Sequence, residues 1–151
     1  MPVLIVQWIH VLAAITAVGA NFTYGFWIRR ASREPKELPF VLQSIRMIDR
    51  RLVNPCYGLL LLTGLTMALT VPIPLTTPWL LTAIALYVLA ALLGILAYAP
   101  VMRQQLRSLA SEGFESAAYQ AVARRASVLG ILVTIDVVVI VYLMVVKPAL
   151  W

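Results

Sequence analysis

Residues 127–146 read SVLGILVTIDVVVIVYLMVV. The run holds a single charged residue, Asp136, among aliphatic neighbours. At about 1.5 Å per residue a helix of this length spans roughly 30 Å, the thickness of a bilayer's hydrocarbon core. A strand is excluded because the run does not alternate and is about twice the length a barrel strand needs. The segment therefore reads as a transmembrane helix.

Three further stretches read the same way: 3–28, 53–72 and 79–102. Of the chain's 151 residues, 62% are hydrophobic and 12% charged, about half the charge usual in soluble domains. The fold class is all-α, a membrane-embedded four-helix bundle forming a single domain over 1–151. No basic residue precedes the first span and no small-residue cleavage site follows it, so it reads as a mature helix rather than a signal peptide. The lone Cys56 excludes an internal disulfide and gives no metal cluster of its own.

The loop 29–52 holds Arg29, Arg30, Arg33, Lys36, Arg46, Arg50 and Arg51, and the loop 103–126 holds Arg103, Arg107, Arg124 and Arg125. The link 73–78 has no charge, and the last span is followed only by Lys147. Basic loops stay in the cytoplasm. The expectation is a multi-pass protein of a bacterial inner membrane with both termini outside. Trp8, Trp79 and Trp151 then mark the outer interface and Trp27 the inner one. The net charge of +6 lies beside apolar spans, which points to anionic lipid at the cytoplasmic face rather than nucleic acid.

Pro72, Pro74 and Pro78 stiffen the link between the second and third spans. Gln104–Glu112 reads as a helical extension with Gly113 as its C-cap, and Glu115–Arg125 as helix running into the fourth span. In the first loop, Leu38, Val41, Leu42, Ile45, Ile48 and Leu52 recur at helical spacing. Two readings fit: an amphipathic helix lying on the membrane, or a prolongation of the second span with Asn54-Pro55 as kink or start.

Helices in lipid associate through small residues and side-chain hydrogen bonds. The first span offers Gln7, His10, Ala14, Ala17, Asn21 and Tyr24; the second Cys56, Thr63, Thr66 and Thr70, with Gly64 and Met67 alongside. The third offers Ala83, Ala90, Gly94 and Ala97, bordered by Tyr87 and Tyr98. The intramembrane polar residues are Gln7, His10, Asn21 and Asp136. An ionisable group in a span is a functional candidate by default. His10 and Asp136 lie at depths about 5 Å apart, so adjacent first and fourth helices would let them meet and fix the imidazole tautomer.

His10 is also the candidate ligand for a metal or for haem. One histidine per chain cannot give bis-histidine ligation within a protomer. The alternatives are His10 with Met67 or Met144, a five-coordinate haem, or His10 of a second copy. Copper(I) could use the same imidazole with sulfur ligands. No nucleophile–base set, phosphate loop or zinc motif is present, so no catalytic residue is assigned and a hydrolase or NTPase is disfavoured.

Three motifs carry a resemblance over nearly the whole chain: Trp8-Ile9-His10-Val11-Leu12-Ala13; Asn54-Pro55 followed by Leu62-Thr63-Gly64-Leu65; and Val141-Tyr142-Leu143-Met144-Val145-Val146-Lys147-Pro148. With the four-span layout, the chain resembles a bacterial family of predicted integral membrane proteins of unknown function. More distantly it is similar to the four-helix, haem-associated protoporphyrinogen oxidases and the copper-resistance D membrane proteins. An early-span histidine and an intramembrane lysine are associated with function in the oxidases. His10 matches the first, and no lysine lies in any span here. Three functions stay open: a non-catalytic accessory subunit of a larger membrane complex or a homo-oligomer, a haem-binding redox protein using His10, and a small proton or ion transporter using His10 and Asp136.

Overall fold

The computed structural model describes residues 2–71 and 73–151. Met1 and Pro72 lie outside the described residues, and with Pro72 goes the first of the three prolines expected to stiffen the link. All regular structure among the described residues is helical: α1 (Pro2–Ala31), α2 (Leu38–Ile48), α3 (Asn54–Thr70), α4 (Pro78–Leu92), α5 (Ala99–Glu112) and α6 (Ala117–Val146). A π-helical turn at Asp49–Val53 fuses α2 to α3, and another at Leu93–Tyr98 fuses α4 to α5. Four long rods result: Pro2–Ala31, Leu38–Thr70, Pro78–Glu112 and Ala117–Val146, each long and apolar enough to cross a membrane.

Proline explains both wide turns. The Asn54 N–H donates to the Asp49 carbonyl and the Ala99 N–H to the Gly94 carbonyl, each five residues back. One residue further on come Pro55 and Pro100. A proline has no N–H for the carbonyl four residues before it, and its ring presses on that carbonyl. The π turn absorbs the mismatch without breaking the rod.

The rods alternate in direction, so α1, α3, α4 and α6 form two antiparallel hairpins. The closest packing is α1 on α3 and α4 on α6; α1 also meets α6, and α2 meets α5. Eleven of the twelve lysines and arginines therefore gather at one end of the bundle, the arginine-rich end. The twelfth, Lys147, lies at the opposite end, with its ammonium 5.4 Å from the centre of the Trp79 ring. That cation–π contact ties the end of α6 to the start of α4.

The large buried apolar side chains concentrate at the arginine-rich end. Leu38, Leu42 and Ile45 of α2 pack with Ala31, Met102 and Tyr119 in one core. Rods of 30 to 35 residues are roughly 45–52 Å long, well beyond the hydrocarbon thickness. Apolar burial gains free energy chiefly where the alternative is water, which is the ground for expecting this core where the rods outrun the lipid. Of the two readings of the first loop, the continuous rod Leu38–Thr70 agrees with the second. Leu38, Leu42 and Ile45 of its apolar stripe are buried by protein, Leu52 is exposed, and α2 continues through the π turn into α3.

Gly113 ends α5 with φ +83, a backbone that favours glycine. The Ser116 side chain then caps α6 by accepting from the Tyr119 N–H at 3.1 Å.

Candidate functional site

The face of α1 that meets α3 is built from small residues. Ala13 and Ala17 are buried, which lets the backbones approach closely. His10 lies one turn before Ala13 and turns toward α3. Its Nδ1 is 2.8 Å from the Thr63 hydroxyl. Thr63 spends its only proton on the Leu59 carbonyl one turn back in its own helix. The Thr63 oxygen can therefore only accept, and the network assigns the imidazole proton to Nδ1. The Leu60 carbonyl lies 3.4 Å from the same hydroxyl.

Gly64 completes the seat. A Cβ at this position would lie 3.3 Å from His10 Cε1 and 3.9 Å from Nδ1. The imidazole occupies the space that any side chain would take. The ring is thus held on one edge by Thr63 and beneath by Gly64, and remains half-buried. Its Nε2 keeps its lone pair, the form in which an imidazole binds a metal.

The expected contact between His10 and Asp136 is not formed. The imidazole faces the tight α1–α3 interface, and its partner there is Thr63. Asp136, on α6, is 9% exposed, and its Oδ2 is buried without a hydrogen-bond partner. A carboxylate left so in lipid is costly when ionised. The Asp136→Asn variant is accordingly expected to keep or raise the thermal unfolding midpoint in detergent. A clear fall would show that the carboxylate has a partner it needs.

A second polar group lies about 16 Å further along α1. The Asn21 amide donates to the Tyr57 hydroxyl at 2.7 Å, and the Tyr87 hydroxyl donates to the Tyr57 carbonyl at 2.7 Å. Tyr24 is buried and donates to Asp49 Oδ1 at 2.9 Å. These bonds link α1, α3 and α4, and bind α1 to the π turn that precedes α3.

Asp49 is the polar residue that sequence reasoning missed. It lies among Arg46, Arg50 and Arg51 and reads as part of a solvated loop. The available signal was Tyr24, on the polar face of α1 and close to the same end. Other expected positions fall differently. Gln7 is exposed. Thr66 and Thr70 are exposed and bond back to the Leu62 and Thr66 carbonyls at 2.8 Å, so the threonine stripe faces the bundle only at Thr63. Met67 lies one turn beyond Thr63 on α3 and is half-buried, as is Met144 on α6. Among the described residues, no cluster of three or more His, Cys, Asp or Glu side chains could hold a metal ion.

A family model described as predicted integral membrane protein (DUF2269) matches residues 4–148. No curated protein and no solved structure matches the chain significantly.

Proposed function

We propose a function for a chain that belongs to this family of predicted integral membrane proteins: it is a haem-holding membrane protein in which His10 Nε2 is an axial ligand. One observation carries the reading, the seat of His10. Metal-binding histidines nearly always donate their other ring N–H to a fixed acceptor. Here that acceptor is Thr63, whose own proton is committed to Leu59. The resemblance of the first span to haem-associated families points the same way.

The donor set fits haem better than a closed metal site. A single half-buried imidazole would hold a group that brings most of its own ligands. Met67, Met144 or His10 of a second copy would be the candidate for a second ligand. A shared haem would make the chain a homo-oligomer or an accessory subunit within a larger complex. When bound, the group supplies one-electron redox chemistry. The chain's own residues fix the imidazole tautomer, orient the ring and keep water from its Nδ1 edge. We place the arginine-rich end in the cytoplasm of a bacterial inner membrane, since basic segments are retained there. The His10 seat then lies in the outer half of the bilayer.

Titration of the purified chain with haemin tests the reading. The expected result is a saturable Soret shift at one haem per chain or per two chains, lost in His10→Ala and kept in Asp136→Asn. A parallel titration with Cu(I) separates the copper alternative. Tight Cu(I) binding with no response to haemin overturns the haem reading.

A further inference from the structure

At the arginine-rich end, α2 and α5 leave an open groove of about 520 Å³ between them. Arg46, Arg50 and Arg51 line it beside Met47, Leu106 and Leu109, and no carboxylate is among its lining residues. All three arginines are exposed. Arg46 and Arg50 are four residues apart, one helical turn, and so stand on the same face. Arg51 follows at the π turn that joins α2 to α3.

The groove sits where the rods pass from apolar to polar sequence. The core of Leu38, Leu42 and Ile45 lies on the buried side of α2. A ligand bound here meets the three guanidinium groups, with Met47, Leu106 and Leu109 beside them. Guanidinium matches a phosphate in two-pronged geometry, and at this end of the bundle the anionic phosphate to hand is a lipid headgroup. Three like charges held together without a carboxylate repel one another, and an anion relieves that repulsion.

We propose that the α2–α5 groove is a binding site for the headgroup of an anionic phospholipid, with its phosphate on Arg46, Arg50 and Arg51. The site is separate from the His10 seat, at the other end of the bundle, and does not rest on the haem reading. A bound lipid would bridge the two hairpins at the level where α2 meets α5.

Native mass spectrometry of the full chain in detergent tests this, with phosphatidylglycerol, phosphatidylcholine and inorganic phosphate as separate additives. The expected result is preferential retention of phosphatidylglycerol over phosphatidylcholine. In the triple variant R46Q/R50Q/R51Q the preference falls on the order of tenfold or more. The control R29Q/R30Q/R33Q removes equal charge from the same end and keeps the preference. Ala110→Glu puts a carboxylate on an exposed position of the groove wall, keeps all three arginines, and is expected to lose the preference too. It decides the matter if the triple variant does not fold. The proposal is overturned if the control triple loses as much as the groove triple, if Ala110→Glu leaves the preference intact, or if inorganic phosphate displaces the lipid at equal concentration.

Discussion

Gly64→Leu is expected to weaken haemin binding by a factor of ten or more while every candidate ligand stays in the sequence. A bare Cβ at position 64 already comes within 3.3 Å of His10 Cε1. Alanine therefore forces the ring to move by a few tenths of an ångström. Leucine adds three more carbon atoms in the same place, and the imidazole must leave the Thr63 hydroxyl. Loss of such a supporting hydrogen bond typically costs about 10–100-fold in metal affinity. Leucine forms helix better than glycine, so a weakened α3 does not account for the loss. The haemin titration of the Gly64→Ala and Gly64→Leu variants checks this: the expected order is wild type, then alanine, then leucine. Wild-type binding by the leucine variant would mean that the ring is not held where haem needs it.

Tyr24→Ala is expected to be the most destabilising single change in the lower polar group. The side chain is 7% exposed, and it alone ties α1 to Asp49. Removing a buried aromatic ring costs about 3–5 kcal/mol. In addition, Asp49 loses the donor that satisfies its Oδ1. Tyr24→Phe isolates that second effect, with an expected cost of about 1–3 kcal/mol. Combining Tyr24→Phe with Asp49→Asn in a double-mutant cycle gives the coupling between the two groups. Unfolding of the purified chain, followed by helical circular dichroism in detergent, provides the free energies. Strict additivity of the two changes would show that the hydroxyl and carboxylate contribute independently.

The number of spans was legible in the sequence because each 20-residue apolar run states its own length requirement. The gathering of eleven basic residues at one end followed from the alternation of the rods. The fusion of α2 to α3 was legible only as one of two readings. The period of Leu38, Leu42 and Ile45 says that a face is covered, but it does not say whether lipid or protein covers it. The π turns carried a sequence signal in Pro55 and Pro100, though a proline in a span also fits a plain kink.

The site was legible in part. His10 stood out because an ionisable residue in a span is rare, but its partner did not. Depth along a helix follows from counting, whereas rotation follows from which small residues let two backbones close. Ala13 and Ala17 turned His10 toward α3, and Asp136 was left without it. Threonine was ambiguous for a related reason. Each of Thr63, Thr66 and Thr70 bonds back to its own helix, so an identical pattern serves both the lipid-facing positions and the one that holds His10.

The most direct measurement is the absorption spectrum of the chain isolated from its native membranes, oxidised and then reduced with dithionite, beside that of His10→Ala prepared identically. The account predicts a Soret band that shifts on reduction in the wild-type protein and is absent from the variant. A wild-type spectrum without haem absorbance, or a variant spectrum indistinguishable from a haem-bearing wild type, would contradict it.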